Sequence, residues 1–408
     1  MTALKYPILL IAFLSLTIFI SCDSGGDEEP DFSIDKGLLI SQEKVHTWLK
    51  GDIKGFLSVS GLNVPIEKIL YDVSIYDVKY MTPYKGKMIE ASGRVFLPQT
   101  TEKVSTVCFS HGTLGADDEA MTSLGAGAGT TILLSGLASM GMMTIAPDLV
   151  GFGASASYYQ AYFLLEPTAT ATIDNIYAAK LLAEELGVPT DNELYLAGYS
   201  QGGYSTMATH KYIEENGIEY FDLKASFPAS GGYQIKGVQD YFFSREVYQQ
   251  PYYLALVAQA YSEYYDWEGT HSLDLFFNEP YATLIPSLVD GSYTGGEIND
   301  RLNDTVSVLV QSDFINNSES DTYKFLIDAY DVNSPIGWIP KNSVFMYHGD
   351  ADTTVPYQNS VDVLQSFMDA GASSDIVSFK TIPGGSHATG VGPYLEDIIA
   401  KLVEFEGN

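Results

Sequence analysis

Cysteine is scarce in this chain, which has 408 residues but only two cysteines, Cys22 and Cys108. Two cysteines form at most one disulfide, and Cys108 lies within an apolar stretch, so a disulfide-stapled fold is excluded. Stability must therefore come from a hydrophobic core. With 46% apolar residues, a chain of this length is predicted to form one large α/β domain with an insertion, or two domains.

Positive charge is scarce as well. Lysine and arginine number 21 against 52 aspartates and glutamates, which gives a formal net charge of -31 at pH 7. Nucleic acids and anionic membrane surfaces attract basic proteins, so neither is predicted as a partner. The acidic surplus indicates a soluble, acidic surface.

The N-terminus carries an apolar run of 14 residues, Pro7 to Ile20, after a basic residue. The run is too short to span a bilayer comfortably but has the length of the apolar part of a signal peptide. With a small residue directly before Cys22, it resembles a bacterial lipoprotein signal. The resemblance implies a signal peptide over 1–21, a lipid on Cys22, an acidic tether over 22–33 and an exported protein anchored to the (outer) membrane. Plain secretion is the alternative.

Strand and helix patterns alternate along most of the chain. The sequence predicts strands at 70–80, 88–97, 104–109, 142–146, 194–197, 223–227, 344–347 and 376–382, and helices at 130–140, 168–186, 358–370 and 394–405. The first two strands are predicted to form an antiparallel hairpin, and residues 34–61 one or two helices. Repeated strand-helix units indicate a mostly parallel sheet with helices on both faces.

Ser200 lies at the centre of Gly-Tyr-Ser-Gln-Gly, residues 198–202. The preceding residues 193–197 are typical of a buried strand, and residues 205–213 of the start of a helix. A strand, a sharp turn and a helix in this order form a nucleophile elbow, which exposes the serine hydroxyl above the sheet. Ser200 is therefore the candidate nucleophile.

A serine hydroxyl needs a base to accept its proton and a third group to orient that base. His387 lies in a loop directly after the last predicted strand and is the candidate base. The acid is expected in His-Gly-Asp-Ala-Asp-Thr-Thr-Val-Pro, which follows the preceding strand and contains Asp350 and Asp352. His111 and His348 precede glycines at strand ends and are interpreted as structural.

Together the serine motif, the His-Gly-Asp-Ala-Asp segment and Gly-Ser-His resemble the α/β-hydrolase superfamily over about residues 70–405, apart from an inserted segment. The resemblance implies that Ser200 is the nucleophile and His387 the base. It assigns the acid to Asp352 rather than Asp350, because the family places the acid three residues after the glycine of its His-Gly motif.

The resemblance also implies an oxyanion hole made by backbone N–H groups. One donor is Gln201, directly after the nucleophile. The other is Thr113, with Leu114 as the alternative, in the loop that follows His111 and Gly112. This loop has no run of three glycines, which departs from the pattern of the hormone-sensitive-lipase-like esterases.

The alternation of strands and helices stops between residues 229 and 342, which are predicted to form a cap inserted between the sixth and seventh core strands. Residues 34–228 and 343–408 are predicted as the hydrolase core. The first half of the cap is dense in aromatic residues: Tyr233, Tyr241, Phe242, Phe243, Tyr248, Tyr252, Tyr253, Tyr261, Tyr264, Tyr265 and Trp267. These form the cap's own small core, and some of them are compatible with lining a substrate pocket.

A cap at this position, together with Gly-Tyr-Ser-Gln-Gly-Gly, resembles the secretory lipases of the Candida antarctica lipase A type. The resemblance implies a serine carboxylesterase or lipase that acts on carboxylic esters through an acyl-enzyme, without metal or organic cofactor. The serine motif is also similar to prolyl-oligopeptidase-like peptidases, although the roughly 80 residues before the His-Gly strand are too few for their propeller. A non-catalytic, ligand-binding surface lipoprotein is the third alternative.

Overall fold

The computed structural model describes residues 38–267 and 269–407. Its strands are β1 (Leu39–Trp48), β2 (Val73–Tyr84), β3 (Lys87–Pro98), β4 (Val104–Ser110), β5 (Met142–Pro147), β6 (Thr190–Tyr199), β7 (Asp222–Ala229), β8 (Ser343–Gly349) and β9 (Val377–Ile382). Its helices are α1 (Lys50–Ser58), α2 (Gly129–Ser139), α3 (Leu165–Leu186), α4 (Gln201–Asn216), α5 (Ile235–Phe243), α6 (Tyr252–Tyr264), α7 (Tyr281–Leu288), α8 (Gly295–Asn299), α9 (Val306–Leu309), α10 (Ser312–Asn317), α11 (Lys324–Asn333), α12 (Tyr357–Ala370) and α13 (Val391–Glu406).

The strands form a sheet in the order β1-β2-β3-β5-β4-β6-β7-β8-β9. From β1 to β3 and on to β5 the neighbours pair antiparallel, whereas from β5 to β9 they pair parallel. The predicted hairpin and the mostly parallel sheet are both confirmed. In the parallel part the carboxyl ends of the strands meet at one edge, where loops from several strands approach one another.

Helices cover both faces of the sheet. One face packs against α1, α2 and α13, and the other against α3, α4 and α12. Successive side chains of a strand point to opposite faces, so in β6 Leu194 and Leu196 contact the α3 side while Tyr195 and Ala197 contact the α13 side. All four are buried, which explains why this strand appears in the sequence as a continuous apolar run.

The prediction of one or two helices over residues 34–61 was wrong for Leu39–Trp48, which forms the edge strand β1. Most of its side chains are only half-buried or exposed, and its pairing with β2 shifts register twice, between Leu39 and Ser41 and between Lys44 and His46. Exposure and irregular register remove the strict alternation by which a strand is recognised in sequence. Among residues 38–61, only α1 is α-helical.

The segment between β7 and β8 is mostly helical and contains α5 to α11. Ala229, predicted as its first residue, is the last residue of β7, so the inserted segment comprises residues 230–342; we call it the cap segment. Hydrogen bonds connect the cap segment to the core: Tyr248 donates to the carbonyl of Thr354 at 2.9 Å, and Tyr261 to that of Phe163 at 2.9 Å.

A helix that crosses a membrane must be both long enough and apolar enough. Within residues 38–267 and 269–407, no helix meets both requirements. The predicted signal peptide, Cys22 and the acidic tether lie outside the described residues and stay predictions.

Candidate active site

Ser200 occupies the sharp turn between β6 and α4, with φ 61° and ψ -121°. Positive φ is uncommon for a residue other than glycine, so the turn stores backbone strain. A Cβ atom on Gly202 would lie 2.1 Å from the carbonyl oxygen of Ser110, and one on Gly203 would lie 2.1 Å from that of Ala229. The two glycines therefore allow α4 to begin against the ends of β4 and β7, as a nucleophile elbow requires.

The structure brings the three predicted residues Ser200, His387 and Asp352 together at the carboxyl edge of the sheet. His387 follows β9 and Asp352 follows β8. The Nε2 atom of His387 lies 2.9 Å from the Ser200 hydroxyl, and its Nδ1 atom lies 2.7 Å from Oδ2 of Asp352. Because a carboxylate only accepts hydrogen bonds, Nδ1 carries the hydrogen, and Nε2 is left to accept the serine proton.

The Asp352 carboxylate is buried and bonded at both oxygens. Oδ1 accepts the backbone N–H groups of Thr354 at 2.8 Å and Val355 at 3.0 Å. Oδ2 faces His387 and also His348, whose Nε2 atom lies 3.3 Å away. Burial alone would raise the pKa of Asp352, but the hydrogen bonds from the two histidines outweigh it and lower the pKa to about 2.

Asp350, the alternative acid, has a different environment. Its side chain is exposed, and its Oδ1 atom accepts the backbone N–H of Gly384 at 2.6 Å. It therefore fixes the loop that precedes His387, while Asp352 contacts the imidazole itself.

The loop predicted to supply an oxyanion donor lies beside the elbow. A Cβ atom on Gly112 would lie 3.9 Å from the Cβ atom of Ser200. The His111 imidazole holds this loop, with its ring nitrogens 2.7 Å from the carbonyl oxygen of Gly112 and 2.9 Å from that of Asp148. Among the hydrogen bonds of the described residues, none uses the backbone N–H of Thr113 or Gln201, so both remain available as donors.

The Thr113 side chain is fixed as well. Its hydroxyl lies 2.9 Å from that of Tyr162, a buried residue before α3. The carbonyl oxygen of Leu114, the alternative oxyanion residue, accepts the side-chain amide of Gln160 at 3.0 Å. Both contacts restrain the loop next to Ser200.

A cavity extends from Ser200 into the cap segment. Most of its lining is aromatic or aliphatic, including Phe163, Val238, Phe242, Val257, Phe276 and Phe314. Of the cap aromatics identified in the sequence, Phe242, Phe243, Tyr253 and Trp267 line this cavity, while Tyr233 and Tyr261 are fully buried. The aromatics thus form both a core and a pocket wall, and the wall suits an apolar ligand.

Two residues near the site were not predicted to have a role there. His348 was interpreted as structural, and it does bond to Ser360 and to the carbonyl oxygen of Val355, but it also contacts the Asp352 carboxylate. Its position four residues before Asp352 is the only sequence signal for that contact. Gln239 lines the cavity from α5, and the sequence around it carries no motif.

Across residues 38–267 and 269–407, no group of three or more histidine, cysteine, aspartate or glutamate side chains is arranged to hold a metal ion.

The fold is shared with solved structures, whereas no family model and no curated protein sequence matches the chain. A protein of proposed hydrolase function from Legionella pneumophila is 25% identical, with a TM-score of 0.80 over 90% of this chain and 98% of that one. The rice cell wall degrading esterase LipA from Xanthomonas oryzae is 23% identical, with a TM-score of 0.78 over 90% and 98%. Candida antarctica lipase A is 18% identical, with a TM-score of 0.63 over 87% and 78%.

These similarities and the sheet topology establish the class: the chain has the α/β-hydrolase fold, as the sequence motifs predicted. Within that class, its structure is similar to an esterase and to a lipase of the type that the cap segment indicated.

Proposed function

We propose that the protein is a serine carboxylesterase or lipase that uses Ser200, His387 and Asp352 as a catalytic triad. The observation that carries the proposal is the continuous hydrogen-bonded array from Ser200 through His387 to Asp352, with Ser200 in the lining of an apolar cavity. The similarity in structure to an esterase and a lipase supports the same reaction class.

The geometry suits acyl transfer in two steps. The Ser200 hydroxyl attacks the ester carbonyl while Nε2 of His387 accepts its proton. The tetrahedral intermediate places a negative oxygen near the elbow, where the backbone N–H groups of Gln201 and Thr113 would donate to it. His387 then returns the proton to the departing alcohol, which leaves an acyl-enzyme.

Hydrolysis of the acyl-enzyme repeats these roles. Water replaces the alcohol, His387 takes a proton from it, and the acid departs as Ser200 regains its hydrogen. Asp352 stays ionised throughout, since its pKa of about 2 lies far below neutral pH. The apolar cavity would hold one hydrocarbon part of the ester during both steps.

The proposal is tested with a fluorophosphonate probe, which labels an activated serine. Wild type is expected to react, Ser200→Ala is not, and Ser244→Ala, which changes an exposed serine of the cap segment, is expected to react like wild type. Labelling that persists in Ser200→Ala would assign the nucleophile elsewhere. A parallel panel of p-nitrophenyl esters and chromogenic peptides separates the esterase from a serine peptidase, which would cleave the peptides preferentially.

A further inference from the structure

Gln239 is a polar side chain in the wall of an otherwise apolar cavity. It lies on α5, lines the same cavity as Ser200, and is only 4% exposed. Its amide oxygen accepts the hydroxyl of Tyr330, on α11, at 3.0 Å. The other end of the amide, Nε2, is buried without a partner.

This amide is distinct from the other polar groups of the lining. The hydroxyls of Ser200 and Tyr162 are bonded to His387 and Thr113. Among the side chains that line the cavity in the described part of the chain, Nε2 of Gln239 is the one buried polar atom without a partner.

An amide can be rotated by 180° without changing its shape, but the rotation does not remove the unpaired end. If Nε2 donated to the Tyr330 hydroxyl, the amide oxygen would be the free atom instead. Buried polar groups are nearly always hydrogen-bonded in folded proteins. The unpaired end of this amide, in a residue of the cavity wall, therefore has the capacity for one further hydrogen bond. A hydroxyl satisfies either end of the amide, and a ketone satisfies the N–H end.

We propose that the cavity takes esters in which the chain that enters the cap segment carries an additional oxygen, a hydroxyl or a ketone, that hydrogen-bonds to the Gln239 amide. Gln239 is then a specificity-determining residue within an apolar pocket. The inference rests on the proposed esterase function, because Ser200 lines the same cavity. The inference also means that a plain hydrocarbon chain leaves this amide unpaired, so that such a chain binds less tightly than one with the additional oxygen.

The test compares kcat/KM for two matched series of esters. One series consists of p-nitrophenyl octanoate and its keto derivatives, with the ketone at successive carbons. The other consists of octyl acetate and the monoacetates of the octanediols, which place a hydroxyl on the alcohol side. In wild type, we expect one ester of one series to have a kcat/KM roughly 10-fold to 100-fold higher than that of the ester with the plain chain. In Gln239→Leu this advantage is expected to disappear.

Two further variants serve as controls for this comparison. Gln239→Met is a second replacement that keeps the length of the side chain and removes its polar atoms. Gln259→Leu is the matched control, because Gln259 is a buried glutamine of the cap segment that does not line the cavity; it is expected to keep the preference for the oxygen-bearing chain. Equal or better turnover of plain chains at every position, or a preference that survives both Gln239 replacements, would overturn the inference.

If the protein is not a serine esterase, the outcome differs from both of these results. In that case wild type hydrolyses none of the esters, and Ser200 is not labelled by a fluorophosphonate. Binding is then compared by thermal shift with octanol and the octanediols, which requires no catalysis. A larger shift with one diol that Gln239→Leu abolishes supports the hydrogen-bonding role of Gln239, and equal shifts for all the alcohols would refute it.

Discussion

Asp352 shows how a single residue remains charged inside the protein. Its side chain is buried, yet two backbone N–H groups and two histidines face the carboxylate. A charged Asp352 keeps the Nδ1–H of His387 directed toward it, so that Nε2 can accept the proton of Ser200. In the proposed triad, Asp352 thus holds one tautomer of the imidazole.

We expect Asp352→Asn to reduce kcat by roughly 10³-fold to 10⁴-fold. An asparagine amide offers His387 a donor as well as an acceptor, which no longer specifies the tautomer with Nδ1 protonated. The measurement is steady-state hydrolysis of a p-nitrophenyl ester, with kcat and KM determined separately. KM is expected to change little, because Asp352 is not among the residues that line the cavity.

Asp350→Asn is the matched control, since it makes the same chemical change two residues away. The side-chain amide oxygen of the introduced asparagine can still accept the backbone N–H of Gly384, as Oδ1 of Asp350 does in wild type. Activity is therefore expected to stay close to that of wild type. If Asp350→Asn were the variant with the large loss and Asp352→Asn were nearly normal, the acid would have to be reassigned to Asp350.

A residue of the candidate site could be predicted from the sequence only where it lies in a recognisable local motif. Ser200, Asp352 and His387 each occur in a short motif at the end of a predicted strand, and the structure places the three within hydrogen-bonding distance. Gln239 has no such signal, because its environment is created by Tyr330, 91 residues away in sequence. Contacts of this kind follow from packing and cannot be recognised in a motif.

At the scale of elements, Glu214 connects α4 to the segment that returns from the cap to β8. Its carboxylate accepts the backbone N–H groups of Lys341 at 2.8 Å and Asn342 at 2.9 Å, and the indole N–H of Trp338 at 3.1 Å. The ring of His210, one turn earlier in α4, lies 2.9 Å away. One buried carboxylate thus joins α4, which begins directly after Ser200, to the segment that leads into β8.

The pKa of Glu214 determines how this connection responds to acid. Burial alone would raise it, but the hydrogen bond and charge of His210, together with the N–H groups of Asn342 and Lys341, lower it from 4.5 to about 2. A carboxyl with a lowered folded pKa contributes stability that is fully present above its ordinary pKa and is lost as the pH falls through the folded pKa. For Glu214 the loss therefore falls between about pH 4.5 and about pH 2.

We expect Glu214→Gln to lower the free energy of unfolding by about 2 kcal/mol at pH 7, because an amide replaces hydrogen bonds to a charged acceptor. The difference from wild type should narrow as the pH falls from about 4.5 toward 2, since wild type then loses the charge that the variant lacks. Urea unfolding at pH 7, 4.5 and 3 measures both effects.

The neighbouring Glu215→Gln is the control for Glu214→Gln. Glu215 is exposed and pairs with Lys211 on the surface of α4, and surface pairs of this kind contribute only about 0–1 kcal/mol. A Glu214→Gln variant that is no less stable than Glu215→Gln, or a difference from wild type that does not change with pH, would contradict the role assigned to Glu214.

Elements of the buried sheet were easier to predict from sequence than those at its edge. β4, with six of its seven residues buried, contains no charged residue, because a strand covered on both faces has no side that is exposed to water. β1 lies at the edge of the sheet beside β2, and its exposed side chains mix polar residues with the apolar Ile40 and Val45. Its backbone hydrogen bonds, rather than its side chains, identify it as a strand, and these depend on residues 73 to 80.

At the scale of the whole molecule, the cap segment and the core share one apolar cluster. That cluster includes Tyr84, Val150 and Tyr204 of the core together with buried residues of α5, α6 and α11. The existence of the insertion and its aromatic character were predictable, because regular alternation of strands and helices stops there. The arrangement of its short helices was not, because it depends on packing between residues distant in sequence, such as Phe276 and Phe314.

The surplus of negative charge is the other property of the whole molecule. With 52 acidic and 21 basic residues, the chain has a formal net charge of -31 at pH 7. Like charges repel one another in the compact state and are farther apart in the unfolded chain, so a large net charge destabilises the fold. Dissolved salt screens this repulsion, because the Debye length falls from about 30 Å at 0.01 M to about 3 Å at 1 M.

We therefore expect the unfolding temperature at pH 7 to rise as sodium chloride increases from 0.01 M to 1 M, by roughly 2 °C for each 1 kcal/mol of repulsion that is screened. Differential scanning calorimetry across this salt range measures the effect. The same titration near pH 4.3, the isoelectric point calculated from the sequence, is the control, because little net charge is left there to screen. An unfolding temperature that falls with salt at pH 7, or that rises equally at both pH values, would show that self-repulsion does not limit the stability of this protein.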